Sequence, residues 1–452
     1  MEILAELKQL LGEGKVSQSE SDIYRHSRDE SSHPWVEPEF VIFPENVVDI
    51  QKTLLLANEK NISVTPFGAG SGLEGQSIPI NKGISMNFDK MSRILEFSPE
   101  DLMITVEPGI TRLQLNEYIN RQGLYFPIDP GADATIGGMV ATNASGTTAV
   151  RYGSMRDQVL DLEVVLTNGT VIHTGSKAKK SSSGYHLNGI FTGSEGTLGV
   201  ITKITLKLHG IPEQVMAARC TFQTPRECAE AAQAVLMSGI QVMRMELVDA
   251  ESIKQVNEYG KYSFPEAHSL FFEFAGTQSI TEEEATVVEE LMRDLGCNNW
   301  ERAVTSKERS DLWKARHEMA YAYKHIKGKV STGSDSCVPI SKLAEMVVFG
   351  RELLEQSGLI GGVFGHVGDG NFHTLVMFDP KIPMEVEKAE YTNTQIAQKA
   401  IELGGTCTGE HGVGLGKKKY QLAEHGDAVE VMKSVKTLFD PNGILNPGKM
   451  FY

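Results

Sequence analysis

Three histidines and a glutamate stand near the C-terminus in two glycine-rich segments. Gly365-His366-Val367-Gly368-Asp369-Gly370-Asn371-Phe372-His373 carries two of the histidines, and Thr408-Gly409-Glu410-His411-Gly412-Val413-Gly414 places Glu410 beside His411. Two imidazoles and a carboxylate hold a first-row divalent ion with open positions, and zinc, manganese and iron all accept that donor set. An oxygen bound to such an ion becomes more acidic, which makes His411 a candidate base because its natural pKa lies near neutrality. The glycines let short loops adopt the tight backbone that aims side chains at one point. Asp369 and Asn371 read as Asx residues bracing the turn, Cys337 and Cys407 as small buried residues rather than nucleophiles, and Lys417-Lys418-Lys419 as a solvated face. Taken alone, the cluster also suits a metal-dependent hydrolase.

The elements that must carry these residues divide into two textures. From Phe40 to about Leu208, short β-branched runs alternate with glycine turns: Val41–Phe43, Ile62–Pro66, Ile84–Phe88, Ile94–Phe97, Met103–Val106, Leu162–Leu166, Thr170–Ile172 and Gly199–Leu208 read as strands, with helices at Val47–Asn58 and Leu113–Gln122. Beyond Gly210-Ile211-Pro212 helices are longer, at Pro225–Ser238, Ala250–Tyr259, Thr281–Leu295 and Ser306–His325, with a strand at Ser269–Phe274 between them. The last thirty residues read as one amphipathic helix stopped by Asp440-Pro441-Asn442-Gly443. This is an α+β chain with much antiparallel sheet, divided at 1–210, 211–420 and 421–452.

Three small-residue loops lie in the first part. Gly68-x-Gly70-x-Gly72 follows a strand, but lacks the lysine of a phosphate-binding Walker loop and the spacing of the dinucleotide fingerprint. Alone it is as well read as a plain turn as an anion nest. Asp129–Gly146 and Gly193–Ile201 repeat the small-residue character, and three such loops in one domain suit a long ligand buried against backbone, such as a dinucleotide cofactor.

The chain has 452 residues, 43 basic against 59 acidic side chains and a net charge of -16, which disfavours nucleic acid as a partner. A small acid would be mildly repelled, so a site for one must be locally positive. Arg316 supplies the planar fork that pairs with a carboxylate, on a helix where Trp313, Arg316 and Ala320 share a face; an exposed salt bridge is the competing reading. Five cysteines without C-x-x-C spacing argue against a disulfide framework and for a reducing compartment. Met1–Leu7 lacks a basic n-region and apolar run, and no stretch is apolar enough to span a membrane. These features lead to an expectation of a cytoplasmic protein, at most peripheral to a membrane.

The glycine loops carry a family resemblance. Pro66–Leu73, Gly137-Gly138 with Asn143-Ala144-Ser145-Gly146, Tyr152-Gly153 and Gly193–Ile201 resemble the FAD-binding domain of the vanillyl-alcohol-oxidase superfamily. The second half, with its histidines and the terminal Leu445-Asn446-Pro447-Gly448-Lys449, resembles the FAD-linked oxidase C-terminal domain. Arg28–His33, Trp313–His317, Cys337–Ser341 and Gly365–His373 are most similar to the FAD-dependent D-lactate dehydrogenases. The resemblance implies a two-part FAD-binding domain of the PCMH type, a ferredoxin-like cap and a C-terminal segment returning to the first domain. It places non-covalent FAD against Pro66, Gly68, Ala69, Gly70, Ser71, Gly72, Leu73, Pro130, Gly131, Ala132, Thr135, Gly137, Gly138, Asn143, Ser145, Gly146, Tyr152, Gly153, Glu195, Gly196, Leu198, Gly199, Ile201 and Asn446. His33 precedes the loop that relatives use for a covalent flavin bond.

Under this resemblance, His366, His373 and Glu410 hold the metal, Arg316 binds the carboxylate of a D-2-hydroxy acid and His411 takes its hydroxyl proton. The resemblance implies a quinone, cytochrome or electron-transfer flavoprotein as acceptor, and leaves peripheral membrane contact and a homodimer open. Relatives that oxidise D-2-hydroxyglutarate add polar groups where this chain has Ala320, Gly333 and Leu375, so D-lactate or another short D-2-hydroxy monocarboxylate is favoured. Glycolate, as substrate of a larger oxidase complex with this chain as its FAD-linked subunit, remains open.

Overall fold

The computed structural model describes residues 2–452, apart from the side chain of Ala320; Met1 and that side chain lie outside the described residues. The chain forms two compact units: residues 1–146, 153–211 and 410–452 make the first, and 147–152 with 212–409 make the second.

Unit 1 contains two main sheets. The first runs in the order Val16–Ser17, Phe40–Ile42, Ile84–Asn87, Val64–Phe67, and its last three strands are parallel. The crossover between Phe40–Ile42 and Val64–Phe67 is the helix Val47–Lys60, started by the Asn46 side chain, which accepts from the Val48 and Asp49 N–H groups, and ended by Asn61 at φ 52°. Ile50, Leu54 and Ala57, one turn apart, bury its face in the same core as Ile42, Ile84 and Met86. The second sheet is antiparallel, in the order Ile94–Ser98, Met103–Val106, Val200–Lys207, Val159–Val165, Val171–His173. The C-terminus joins the first sheet: Asn446 N–H donates to Val64 O at 2.8 Å, and Val64 N–H to Ile444 O at 2.8 Å. The expected single terminal helix is two, Gln421–His425 and Ala428–Phe439, parted at Gly426 with φ 54°.

Unit 2 is built on one antiparallel sheet, in the order Trp300–Ala303, Gln214–Phe222, His268–Gly276, Arg244–Val248, Ile360–Gly365, Asn371–Phe378, Val330–Gly333, with Ser336–Cys337 also paired to Asn371–Phe378. Both faces are covered. Leu270, Phe272 and Phe274 enter one core with the helices Pro225–Met237, Gln278–Asp294, Leu343–Ser357 and Pro383–Glu402, while Phe271 enters another with Ala250–Gly260 and Ser306–His317. Two-sided burial removes the polar alternation that marks a strand, which is why the sequence pattern reveals only one strand of this sheet. The helix expected over Ser306–His325 ends at His317; Met319–Ala322 and Tyr323–His325 follow as short turns. Tyr323, buried and hydrogen-bonded through its hydroxyl to Ser252 at 3.0 Å, takes the chain off the axis.

Candidate active site

The glycine loops of unit 1 converge. A Cβ on Gly68 would lie 2.4 Å from Thr135 Oγ1, so the loop after Val64–Phe67 presses on the start of the helix Ile136–Thr142. A Cβ on Gly196 would lie 2.8 Å from Pro66, which brings the third loop onto the same strand, and Gly146, at φ 156°, has no room for one beside Asp129. Gly131 faces open space, and Pro66, Gly68, Gly70, Ser71, Gly72, Gly137, Gly138, Asn143 and Ser145 are only half-buried. Side-chain-free backbone from three loops gathered along one strand fits an extended dinucleotide such as FAD. Other predicted positions serve the protein itself. Leu198 lies in the core, a Cβ on Gly199 would meet Val164 at 2.5 Å, and Asn446 spends its amide on Gln76 O at 2.9 Å and Glu195 O at 2.8 Å. Tyr152 belongs to unit 2.

Glu195 does not face a loop opening either. Its carboxylate is buried and accepts the N–H groups of Val413 at 2.6 Å and Gly414 at 2.8 Å. Burial raises its pKa to about 7, against the opposing pull of those two N–H groups and of Lys449. Lys449 is buried as well, donates to Gln76 O, Ile78 O and Asn446 Oδ1, and is pushed down to about 8 by burial. The neighbouring Gln76 side chain donates to His411 O at 2.7 Å. The segment carrying Glu410 and His411 is thus clamped inside unit 1 by Glu195 and Gln76. Lys417, expected in solvent, is buried and paired with Glu74 at 3.2 Å, because the same clamp folds its segment inward.

In unit 2 the two histidines flank a hairpin rather than sharing a loop. His366 follows the strand Ile360–Gly365, and His373 lies on Asn371–Phe378, paired in register with Phe364. Their rings are 5.3 Å apart and nearly perpendicular. Gly365, at φ 156°, is required: a Cβ there would meet Phe372 Cα at 2.5 Å. Asn371 N–H donates to Asp369 Oδ1 at 3.4 Å, as an Asx brace does. Cys337 donates to Asp369 O and is pushed up to about 12 by burial, which leaves it a thiol without nucleophilic character at neutral pH.

Two acids that sequence reasoning missed organise this hairpin. Glu246, wholly buried on Arg244–Val248, accepts from His366 Nδ1 at 2.7 Å and from Arg316 Nε at 2.7 Å. Asp335, wholly buried, stands 3.7 Å from His373 Nδ1 and accepts from Asn371 Nδ2 at 3.1 Å, Thr408 Oγ1 at 2.9 Å and Gly409 N–H at 3.0 Å. Each backs one histidine, as the outer partners of metal-bound imidazoles do. The detectable signal was an acid inside an otherwise apolar run, Met245-Glu246-Leu247-Val248. Arg316 is not an exposed salt bridge: its side chain is mostly buried, its Nε is taken by Glu246, and its guanidinium lies 5.5 Å over the Phe364 ring.

The predicted metal set therefore divides, with His366 and His373 in unit 2 and Glu410 in unit 1. Glu410 follows Gly409, the last residue of unit 2. Among the described residues no helix is long and apolar enough to cross a membrane.

Residues 211–450 match the C-terminal domain of FAD linked oxidases, and residues 38–175 match an FAD binding domain. The chain is 40% identical over 99% of its length to a probable D-lactate dehydrogenase, mitochondrial, of Danio rerio, covering 91% of it. It is 42% identical over 99% of its length to D-lactate dehydrogenase [cytochrome], mitochondrial, of Arabidopsis thaliana, covering 80% of it. Glycolate oxidase subunit GlcD of Bacillus subtilis is 34% identical over 92% of this chain and 89% of its own length. Among solved structures, p-cresol methylhydroxylase superposes with a TM-score of 0.80 at 18% identity over 99% of this chain and 96% of that one. A 4-ethylphenol oxidase from Gulosibacter chungangensis gives 0.78 at 17% identity over 100% and 96%. These two bear out the expected α+β fold. The cytoplasmic expectation does not stand, because the Danio and Arabidopsis relatives are mitochondrial by name; cysteines without disulfides do not specify an address. With over half of its length matched by the C-terminal domain model and relatives of 40% identity or more along almost all of it, the chain belongs to the FAD-linked oxidases.

Proposed function

We propose that this protein is an FAD-dependent dehydrogenase that oxidises D-lactate, or a closely similar short D-2-hydroxy monocarboxylate, to the 2-oxo acid. The observation that carries the reading is the buried Glu246, which joins Arg316 to His366 and so sets a carboxylate-binding cation beside a ligand imidazole. FAD, held by the converging glycine loops, would supply the acceptor for the C2 hydrogen and its two electrons. A divalent metal on His366, His373 and Glu410 would supply the Lewis acidity that makes the C2 hydroxyl easier to deprotonate.

The chain's own residues do the rest. Arg316 has its Nε engaged, so the edge carrying Nη1 and Nη2 is the one that meets the substrate carboxylate. Its charge answers the repulsion a small acid meets from a chain of net charge -16. His411 takes the hydroxyl proton, and its backbone is held for that task by Gln76. Leu375 and Gly333, a register pair on adjacent strands, offer no cation for a second carboxylate, which favours a monocarboxylate. The Arabidopsis relative is named for a cytochrome acceptor, and we carry that acceptor class to this chain.

The test is anaerobic mixing of the purified yellow protein with D-lactate, L-lactate, glycolate and D-2-hydroxyglutarate. Rapid bleaching of the flavin by D-lactate, with the pyruvate formed matching the flavin reduced, is expected. A colourless protein, or one bleached by glycolate and not by D-lactate, overturns the reading.

A further inference from the structure

Glu246 is an acid in a place where the sheet offers it no water. It lies between Met245 and Leu247, which enter the larger core of unit 2, and on the face where Val248 packs with the helix Ser306–His317. Its side chain is fully buried, and both of its oxygens are taken by side chains of the site. Oε1 accepts from His366 Nδ1 and Oε2 from Arg316 Nε, both at 2.7 Å. A carboxylate paired with the permanently charged Arg316 only accepts, so Nδ1 carries the ring proton and Nε2 keeps the lone pair. The same carboxylate fixes which edge of the guanidinium stays available, and Phe364 beneath the guanidinium limits its tilt.

Stability does not explain the arrangement, because buried ion clusters replaced by apolar side chains often leave a protein equally stable. We infer that Glu246 is a positioning residue that sets the His366 tautomer and the Arg316 orientation together, so that metal binding and substrate-carboxylate binding are coupled through one side chain. This rests on the site reading proposed above.

The test compares the holoenzyme with its Glu246→Gln, His366→Gln and Glu273→Gln variants. An amide has one acceptor and one donor end, so the glutamine of Glu246→Gln would keep either Arg316 or the Nδ1 proton of His366 but not both. Glu273 is a second buried acid on the same sheet, paired with Arg244 at 2.6 Å, and it controls for general damage to the sheet. Zinc affinity is measured by chelator competition, FAD content by absorbance and D-lactate KM by steady-state rates. Expected for Glu246→Gln are wild-type FAD content, zinc affinity about ten- to a hundredfold lower and a raised KM, with Glu273→Gln near wild type in all three. Wild-type zinc affinity and KM in Glu246→Gln, while His366→Gln loses zinc, overturn the inference and leave the site reading standing. Zinc retained in His366→Gln overturns the site reading and the inference with it. An equal loss in Glu273→Gln overturns the specific role of Glu246. Should Glu246→Gln fail to hold FAD, Glu246→Asp takes its place: the charge stays but its reach is shorter by one methylene, and wild-type zinc affinity and KM in that variant overturn the inference.

Discussion

Glu195 ought to weaken the fold as pH rises, and Glu195→Gln isolates the effect. Its carboxyl is raised from an ordinary 4.5 to about 7, chiefly by burial, with Glu74 adding to the rise and Val413, Gly414 and Lys449 opposing it. An acid whose folded pKa exceeds its unfolded one binds its proton more tightly in the native state. Its contribution to stability is therefore complete below the unfolded value and is lost as pH climbs through the folded one. At about 1.4 kcal/mol per pKa unit, the shift removes roughly 1 kcal/mol at pH 5 and roughly 3 kcal/mol at pH 7, relative to a residue that does not titrate. Glutamine is such a residue and keeps the shape. Below pH 5 protonated Glu195 and the glutamine that replaces it each offer one carbonyl oxygen where the ionised carboxylate offers two, so the two proteins converge there. In urea titrations at saturating FAD, the glutamine variant should gain about 2 kcal/mol on wild type between pH 5 and pH 7. Identical pH dependence of the two would refute the reasoning. Catalysis moves the other way: one of the two N–H groups loses its acceptor, the clamp on the His411 segment loosens, and kcat at pH 7 falls while the variant grows more stable.

Three further outcomes are expected. His411→Asn keeps FAD and loses flavin reduction by D-lactate by at least about a hundredfold, and full reduction in stopped flow would remove His411 as the base. Gly68→Ala drives a methyl group into Thr135 Oγ1, 2.4 Å away, and parts two cofactor loops, so FAD affinity in a fluorescence titration drops by at least about tenfold, at about 1.4 kcal/mol per decade; unchanged affinity would show that the loops do not hold the cofactor. Cys337, raised to about 12, stays unlabelled by iodoacetamide at about pH 8 in the folded protein, and prompt modification of this residue by mass spectrometry contradicts its burial as a thiol.

What is legible in the sequence follows from which forces are local. Helix Val47–Lys60 is readable because its cap and its apolar stripe lie within one short stretch of chain. The strands flanking the histidines are not, since a sheet buried on both faces shows no alternation, and Gly361, Gly362 and Gly365 disguise one of them as a loop. The residue types at 366, 373, 410, 411 and 316 suggest a chemistry without the fold. The roles of Glu246, Asp335 and Gln76 do not show, because each depends on a partner 70 or more residues away, such as Arg316 for Glu246, Thr408 for Asp335 and His411 for Gln76.

Those three residues and Glu195 share a pattern that bears on how the site is kept. Every one is buried, and every one holds a segment that carries a proposed functional group: Glu246 the first histidine and the arginine, Asp335 the second histidine and Gly409, Glu195 and Gln76 the stretch after Glu410. A carboxylate in such a place is costly on its own and tolerable only while its partners stay in reach. Displacing either partner would leave a buried polar group stranded, so each acid penalises misplacement of the group it holds more steeply than an apolar contact would. Apolar packing tolerates sliding, whereas a buried acid with two partners does not. For chemistry that needs a guanidinium, two imidazoles and a base each held at a fixed angle, that steepness is the physical reason to retain buried acids where leucine would make the more stable protein.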